Sequence, residues 1–227
     1  MEYEIKGGSL PVVICKLNSG ERIASQAGAM GWMTDNIIMD TNMKGGLMGG
    51  IGRMFSGESL FLNIFTCSGG SGTIAFPSSF PGKILALELK PGESIIAQKD
   101  AFLASEESVS LEVYFKKKFA AGLFGGEGFI LQKITGPGIV FLEMDGYIEE
   151  YDLSSGETVK VDTGHVAMFE QSVSFDIETV KGMKNVLFGG EGLFLTVLTG
   201  PGKIYLQTMP IQNLAGQIVK IIPTTSD

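Results

Sequence analysis

Short apolar runs broken by Gly-containing turns recur along the chain in a fixed order. The first is Val12-Val13-Ile14-Cys15-Lys16-Leu17, closed by the turn Asn18-Ser19-Gly20-Glu21. Run and turn return as Ile84–Leu89 with Lys90-Pro91-Gly92-Glu93, and again as Ile148–Leu153 with Ser154-Ser155-Gly156-Glu157. Behind each Gly-Glu lies a second strand-like stretch, at Ile23–Ala27, Ile95–Lys99 and Val159–Thr163. A third stretch follows at Asn36–Asp40, Ser108–Val113 and Ser172–Ile177. In the last two of these, apolar and polar residues alternate, the pattern of a half-buried strand. Leu60–Phe65, Phe129–Ile134 and Leu193–Leu198 come next, then Thr73–Phe76, Ile139–Leu142 and Lys203–Gln207.

The same order met three times predicts an all-β fold of three tandem similar units, each a small β-sandwich or double-stranded β-helix. The predicted boundaries are 1–83, 84–147 and 148–227. Repeats of this length pack side by side, which gives a pseudo-threefold arrangement. Phe188-Gly189-Gly190-Glu191-Gly192 repeats as Phe124-Gly125-Gly126-Glu127-Gly128 and, less purely, as Phe55-Ser56-Gly57-Glu58-Ser59. A Thr-Gly-Pro-Gly turn follows later, at Thr135–Gly138 and Thr199–Gly202. Helix is scarce. Ile211–Gly216 predicts one short turn, ahead of a final strand at Gln217–Ile222.

Composition sharpens this picture. The 32 glycines sit between apolar runs, so they read as turn punctuation in a folded chain. A net charge of −8 argues against a general nucleic-acid binder, which needs a basic face. Cys15 and Cys67 lack metal-site spacing, and two free thiols in a reducing cytosol are expected. The N-terminal Met1-Glu2-Tyr3-Glu4 has no signal-peptide character, and no apolar run is long enough to span a membrane. The expected location is cytoplasmic.

Familiar catalytic patterns are absent. There is no Gly-x-Ser-x-Gly elbow, no phosphate loop and no dinucleotide fingerprint. One histidine, His165, cannot make a metal cluster alone, so no metal and no cofactor are expected. The recurring Glu21, Glu93 and Glu157 read as turn residues. Glu58, Glu127 and Glu191 read as structural as well. Asp40, Glu112 and Asp176 would need to converge in a cleft to act as an enzyme's carboxylates.

One constellation invites a functional reading. Ahead of each Phe-Gly motif runs a loop that is basic, apolar and Gly-rich. In the first copy it carries Lys44, Leu47, Met48 and Arg53; in the second Lys116, Lys117, Lys118 and Phe119; in the third Lys181 and Lys184. Matching positions in three repeats should emerge on one end of the body. Lys and Arg around Leu, Met and Phe suit an anionic membrane surface or an anionic protein partner. The competing reading packs the apolar residues between repeats or subunits and leaves the lysines to solvate the rim. Exposed strand edges add an expectation of homo-oligomers.

The triple repeat, the Phe-Gly-Gly-Glu-Gly copies with Thr-Gly-Pro-Gly behind them, and the Met- and Gly-rich loop Met43–Phe55 resemble a known family. It is the bacterial branch of the altered-inheritance-of-mitochondria proteins, a domain of unknown function. The resemblance spans almost the whole chain. It implies a fold like that of the tryptophan RNA-binding attenuation protein, with three similar β-sandwich units per chain and a ring-like homo-oligomer, a trimer being favoured. It supplies no catalytic residues. The function expected from residues and resemblance together is a non-enzymatic oligomeric scaffold or binding protein. The alternative is a ring-shaped nucleic-acid or small-molecule binder; the acidic balance speaks against RNA.

Overall fold

The structure is a computed structural model and describes residues 1–40, 62–117, 128–179 and 194–221. These residues form strands almost throughout, in four antiparallel sheets, with one α-helix at the end. The first sheet has the order β1 (Glu2–Lys6), β2 (Val12–Asn18), β7 (Ser71–Pro77), β4 (Trp32–Met33). The second has β5 (Ile37–Asp40), β6 (Leu62–Cys67), β3 (Arg22–Gln26), β10 (Phe102–Glu106), β13 (Gly138–Asp145) and β8 (Gly82–Leu89). The third has β11 (Ser110–Lys117), β12 (Phe129–Thr135), β9 (Ser94–Gln98), β16 (Val166–Glu170), β19 (Gly202–Gln207) and β14 (Ile148–Leu153). The fourth has β15 (Thr158–Asp162), β18 (Phe194–Thr199) and β17 (Ser174–Thr179).

The two six-stranded sheets are each assembled from strands of two predicted units. β3 pairs with β10, and β9 pairs with β16, across the predicted boundaries. β8 begins at Gly82, so the boundary at 83/84 falls inside a strand. β10 and β16 were not among the expected strands. Phe102-Leu103-Ala104-Ser105 and Val166-Ala167-Met168-Phe169 are buried throughout and show no alternation, because each lies in the middle of a sheet covered on both faces.

Local chemistry recurs at sequence-matched positions. Glu21 Oε2 accepts from the Asn18 N–H at 2.8 Å, Glu93 Oε2 from Lys90 N–H at 2.8 Å, and Glu157 Oε2 from Ser154 N–H at 2.9 Å. Each carboxylate ties off its own turn, which fits the reading of these three residues as turn chemistry. Gly138 and Gly202 begin β13 and β19, and Gly72 is the second residue of the matched β7. A Cβ on Gly72 would come within 2.8 Å of Asn36 Oδ1, and one on Gly138 within 2.7 Å of Ser108 Oγ. A Cβ on Gly202 would crowd Ser172 Oγ in the same way. The small polar residue and the glycine are therefore a matched pair, since only glycine lets the two backbones approach this closely.

Three apolar clusters hold the sheets. The first gathers Cys15, Leu17, Phe65, Ile74, Phe76 and Phe141; the second Ala97, Phe102, Ile134, Leu142 and Met168; the third Ile96, Leu131, Phe169, Leu198 and Ile204. Each draws from more than one sheet, so none is the core of one predicted unit alone. Cys15 and Cys67 are free and buried, and burial pushes the Cys15 thiol up to about 12.

The chain's end corrects one expectation. Ile211–Ile221 is a single helix, α1, with no strand at Gln217. Ile211, Leu214, Ala215 and Ile218 recur at three- and four-residue spacing, a helical period that the tail of the sequence also satisfies. Gly216 costs the helix only about 1 kcal/mol relative to alanine.

Candidate functional site

The predicted loops connect β5 to β6, β11 to β12 and β17 to β18. Lys44, Leu47, Met48, Arg53, Lys118, Phe119, Lys181 and Lys184 lie outside the described residues, as do Glu58, Glu127 and Glu191. Lys116 and Lys117 lie inside, at the end of β11. Lys116 is exposed, and Lys117 is half-buried.

Lys117 Nζ stands 5.4 Å from the centroid of the Phe194 ring. Phe194 opens β18, so the base of the second loop touches the base of the third. An ammonium over an aromatic face is attracted by the ring quadrupole, by about 0.5–1 kcal/mol at an exposed site. Phe129, which lies opposite Lys117 in the β11–β12 ladder, belongs to an aromatic cluster. Phe115 meets Phe175 edge to face at 4.9 Å, and Phe175 stacks on Phe169 at 5.9 Å and on Phe129 at 6.3 Å. Tyr114 meets Phe169 edge to face at 6.4 Å. Phe115 and Phe129 flank the second loop, and Phe175 lies on the strand that leads into the third. At the base of the first loop, Leu62 packs on a different group, the second apolar cluster.

The sequence reading named the charged residues and missed this aromatic floor. The signal was present as Phe at 115, 129, 169 and 175, but these are far apart in the chain, and only the pairing of strands brings them together.

The carboxylates considered for catalysis belong to three different sheets. Asp40 is on β5, Glu112 on β11 and Asp176 on β17, the outer strands of three different sheets. Among the described residues no group of three or more His, Cys, Asp and Glu side chains is placed to hold a metal ion. His165 sits in the 3-10 turn Thr163–His165, with Nδ1 2.7 Å from the Gln207 carbonyl oxygen and Nε2 3.3 Å from Asn213 Nδ2.

Two further polar contacts had no sequence signal. Glu143, buried in β13, accepts from Ser79 N–H at 2.6 Å, Ser78 Oγ–H at 3.0 Å and Ser79 Oγ–H at 3.1 Å. Burial holds its carboxyl above the usual range, against the pull of those hydrogen bonds. At the matched position in β19, Gln207 Oε1 accepts from the Asp145 N–H at 3.1 Å. Asp145 Oδ2 in turn accepts from the Ile211 N–H at 3.1 Å, which caps the start of α1. Burial raises the Asp145 carboxyl to about 6. No described helix is long and apolar enough to cross a membrane.

These features define a class: an all-β protein whose antiparallel sheets run on from one part of the chain into the next, with one lysine at a loop base set over an aromatic ring. The chain belongs to the family described as mitochondrial biogenesis AIM24, whose model matches residues 3–209. It is 33% identical over 226 residues to an uncharacterised protein of Streptococcus pyogenes serotype M6, covering 96% of this chain and 89% of that one. It is also similar to the crystal structure of a Streptococcus pyogenes protein solved as a structural-genomics target. There the TM-score is 0.78 at 28% identity, with 97% of this chain and 99% of that chain covered.

Proposed function

We propose that this protein is a non-enzymatic scaffold of the cytoplasm, in which three copies of one β unit per chain present their basic-apolar loops to an anionic membrane surface. The observation that carries this reading is Lys117 over Phe194, which sets the base of one basic loop against the base of the next. Loops that spring from adjoining bases can act on one plane. Several lysines and arginines near one plane add their attraction to anionic lipid, at about 1 kcal/mol per residue close to the surface. Leu47, Met48 and Phe119 would supply the apolar insertion that holds the contact once charge has drawn it in. Matched turn locks at Glu21, Glu93 and Glu157 support the reading of three copies of one unit. Homo-oligomers, with a trimer favoured, would multiply the loops and hence the avidity.

The test is co-sedimentation with vesicles containing phosphatidylserine, against vesicles of phosphatidylcholine alone. Binding to the anionic vesicles at low salt, lost at high salt, is the expected result. Replacing Lys116, Lys117 and Lys118 together with glutamine should weaken it several-fold. Absence of binding to anionic vesicles at low salt overturns the reading.

A further inference from the structure

We propose that α1 lies flat in the headgroup layer of an anionic membrane, as a further contact beside the basic loops. This extends the membrane contact proposed above and rests on it.

α1 leaves the body at the end from which those loops spring. The Thr163 Oγ1–H donates to the Phe194 carbonyl oxygen at 2.9 Å, and Phe194 is the residue whose ring Lys117 faces. Thr163 belongs to the 3-10 turn Thr163–His165, and the helix is seated on that turn. Pro210 packs on Gly164, where an added Cβ would lie 3.5 Å from the Pro210 Cβ. Gln207 Nε2–H donates to the Gly164 carbonyl oxygen at 3.0 Å, and His165 Nε2 stands 3.3 Å from Asn213 Nδ2. Asp145 Oδ2 holds the Ile211 N–H from β13. Helix base and loop base therefore meet at one turn.

Among the described residues these ties reach no further along the helix than Asn213. Ile211 and Leu214 are half-buried, whereas Ala215, Gly216 and Gln217 are exposed. Ile218 is 45% exposed and Ile221 80%. Ile211, Leu214, Ile218 and Ile221 follow one another at three- and four-residue steps, so they share one face. An apolar stripe thus runs from the body out into solvent. A helix of 11 residues is marginal in water by itself, so its outer turns are stabilised where that stripe meets an apolar phase.

The surrounding chemistry selects the occupant. In a chain of net charge −8, the helix sequence contains no acid and one base, Lys220. Tyr147, 58% exposed, is fixed beside the helix start. Its N–H donates to Thr208 Oγ1 at 2.9 Å, and its carbonyl oxygen accepts from the Thr208 N–H at 3.0 Å. Lys83 Nζ stands 5.2 Å from the centroid of the Tyr147 ring. An exposed tyrosine with an ammonium at its ring, next to an apolar helix stripe free of acids, matches the layering of a lipid surface. The phenol sits at headgroup level, the ammonium meets lipid phosphate, and the isoleucines reach the first carbons of the acyl chains.

The test places an environment-sensitive dye on Ile218→Cys in the full chain and adds vesicles of phosphatidylserine and phosphatidylcholine. Both native cysteines are buried, so the dye goes to the new thiol. Binding should move the dye's emission to the blue, and brominated acyl chains should quench it. The dye on Gly216→Cys, on the opposite face of the helix, should shift less. On Ser155→Cys, exposed in the turn at the far end of β14, it should not shift at all. Ile218→Ser combined with Ile221→Ser should weaken co-sedimentation several-fold. Co-sedimentation with no blue shift at position 218 overturns this role of α1 and leaves the loop contact standing. Absence of co-sedimentation at low salt overturns both. Equal shifts at positions 218 and 155, or unchanged binding by the doubly substituted chain, also overturn the role of α1.

Discussion

The backbone N–H of Ser79 donates to Glu143 Oε2 at 2.6 Å, and this bond ties the end of β7 in one sheet to β13 in the next. The same tie is made by Asp145 N–H on Gln207, where the acceptor is neutral. A charged and an uncharged side chain thus do one job at two matched places.

Glu143→Gln should therefore keep the tie and remove a buried charge. The folded-state carboxyl titrates above its ordinary value because of burial. The protonated form is favoured in the fold, so its contribution to stability is full below the unfolded value and is lost as pH rises through the folded value. The substitution should flatten that fall and raise stability at pH 7 by on the order of 1 kcal/mol. Urea denaturation at pH 4 and pH 7 checks both. A variant less stable than the parent at pH 7 would show that the carboxylate's three hydrogen bonds outweigh its desolvation.

Asp145 gives a second pH dependence, centred on the helix. Its carboxyl is raised from 3.8 to about 6, so stability should fall as pH rises between those values. Asp145→Asn retains an oxygen for the Ile211 N–H and should remove Asp145's share of the dependence, leaving that of Glu143. Asp145→Ala removes the acceptor, at a cost of about 1 kcal/mol, and should fray the first turn of α1. Far-UV circular dichroism and amide exchange at Ile211 distinguish the two variants.

How far all this was legible in the sequence depends on range. The turn glutamates were readable because glycine, glutamate and the preceding strand lie within a few residues, and their bonds to Asn18, Lys90 and Ser154 are equally local. β10 and β16 were not, because a strand buried on both faces shows no period to tell it from any apolar run. The sharing of sheets between units followed from those two strands and was missed with them. Lys116 and Lys117 stood out as a charge run, but the Phe194 ring beneath Lys117 belongs to a distant stretch. The helix at Ile211–Ile221 was half read: its first residues were seen to turn, and the strand assigned after them ignored a helical spacing that runs through Ile218.

The turn locks themselves can be measured. Glu93→Ala removes the acceptor for Lys90 N–H and should cost about 1 kcal/mol. Glu21→Ala and Glu157→Ala should cost similar amounts, and the triple variant should lose close to the sum, since the three turns are separate. Denaturant midpoints supply the numbers. Vesicle binding should be unchanged, which separates a structural role from a role in the surface contact.

The sharpest contrast lies between Ile96 and Lys160, which occupy matched positions on β9 and β15. Ile96 is 1% exposed, inside a seam opposite Phe169. Lys160 is exposed and pairs with Glu178 at 2.6 Å. Ile96→Lys buries an uncompensated charge between two strands and should cost about 3 kcal/mol or more. Lys160→Ile forfeits only an exposed ion pair, which is worth about 0.2–1 kcal/mol. It also strips the charge from an open edge, and a charged residue on an edge strand limits pairing with other chains. The chain with Lys160→Ile should fold as stably as the parent to within about 1 kcal/mol and associate more tightly or less selectively. Calorimetry reads the first effect and light scattering across a concentration series the second. Equal destabilisation by the two substitutions would mean that β15 is already covered in the same way as β9.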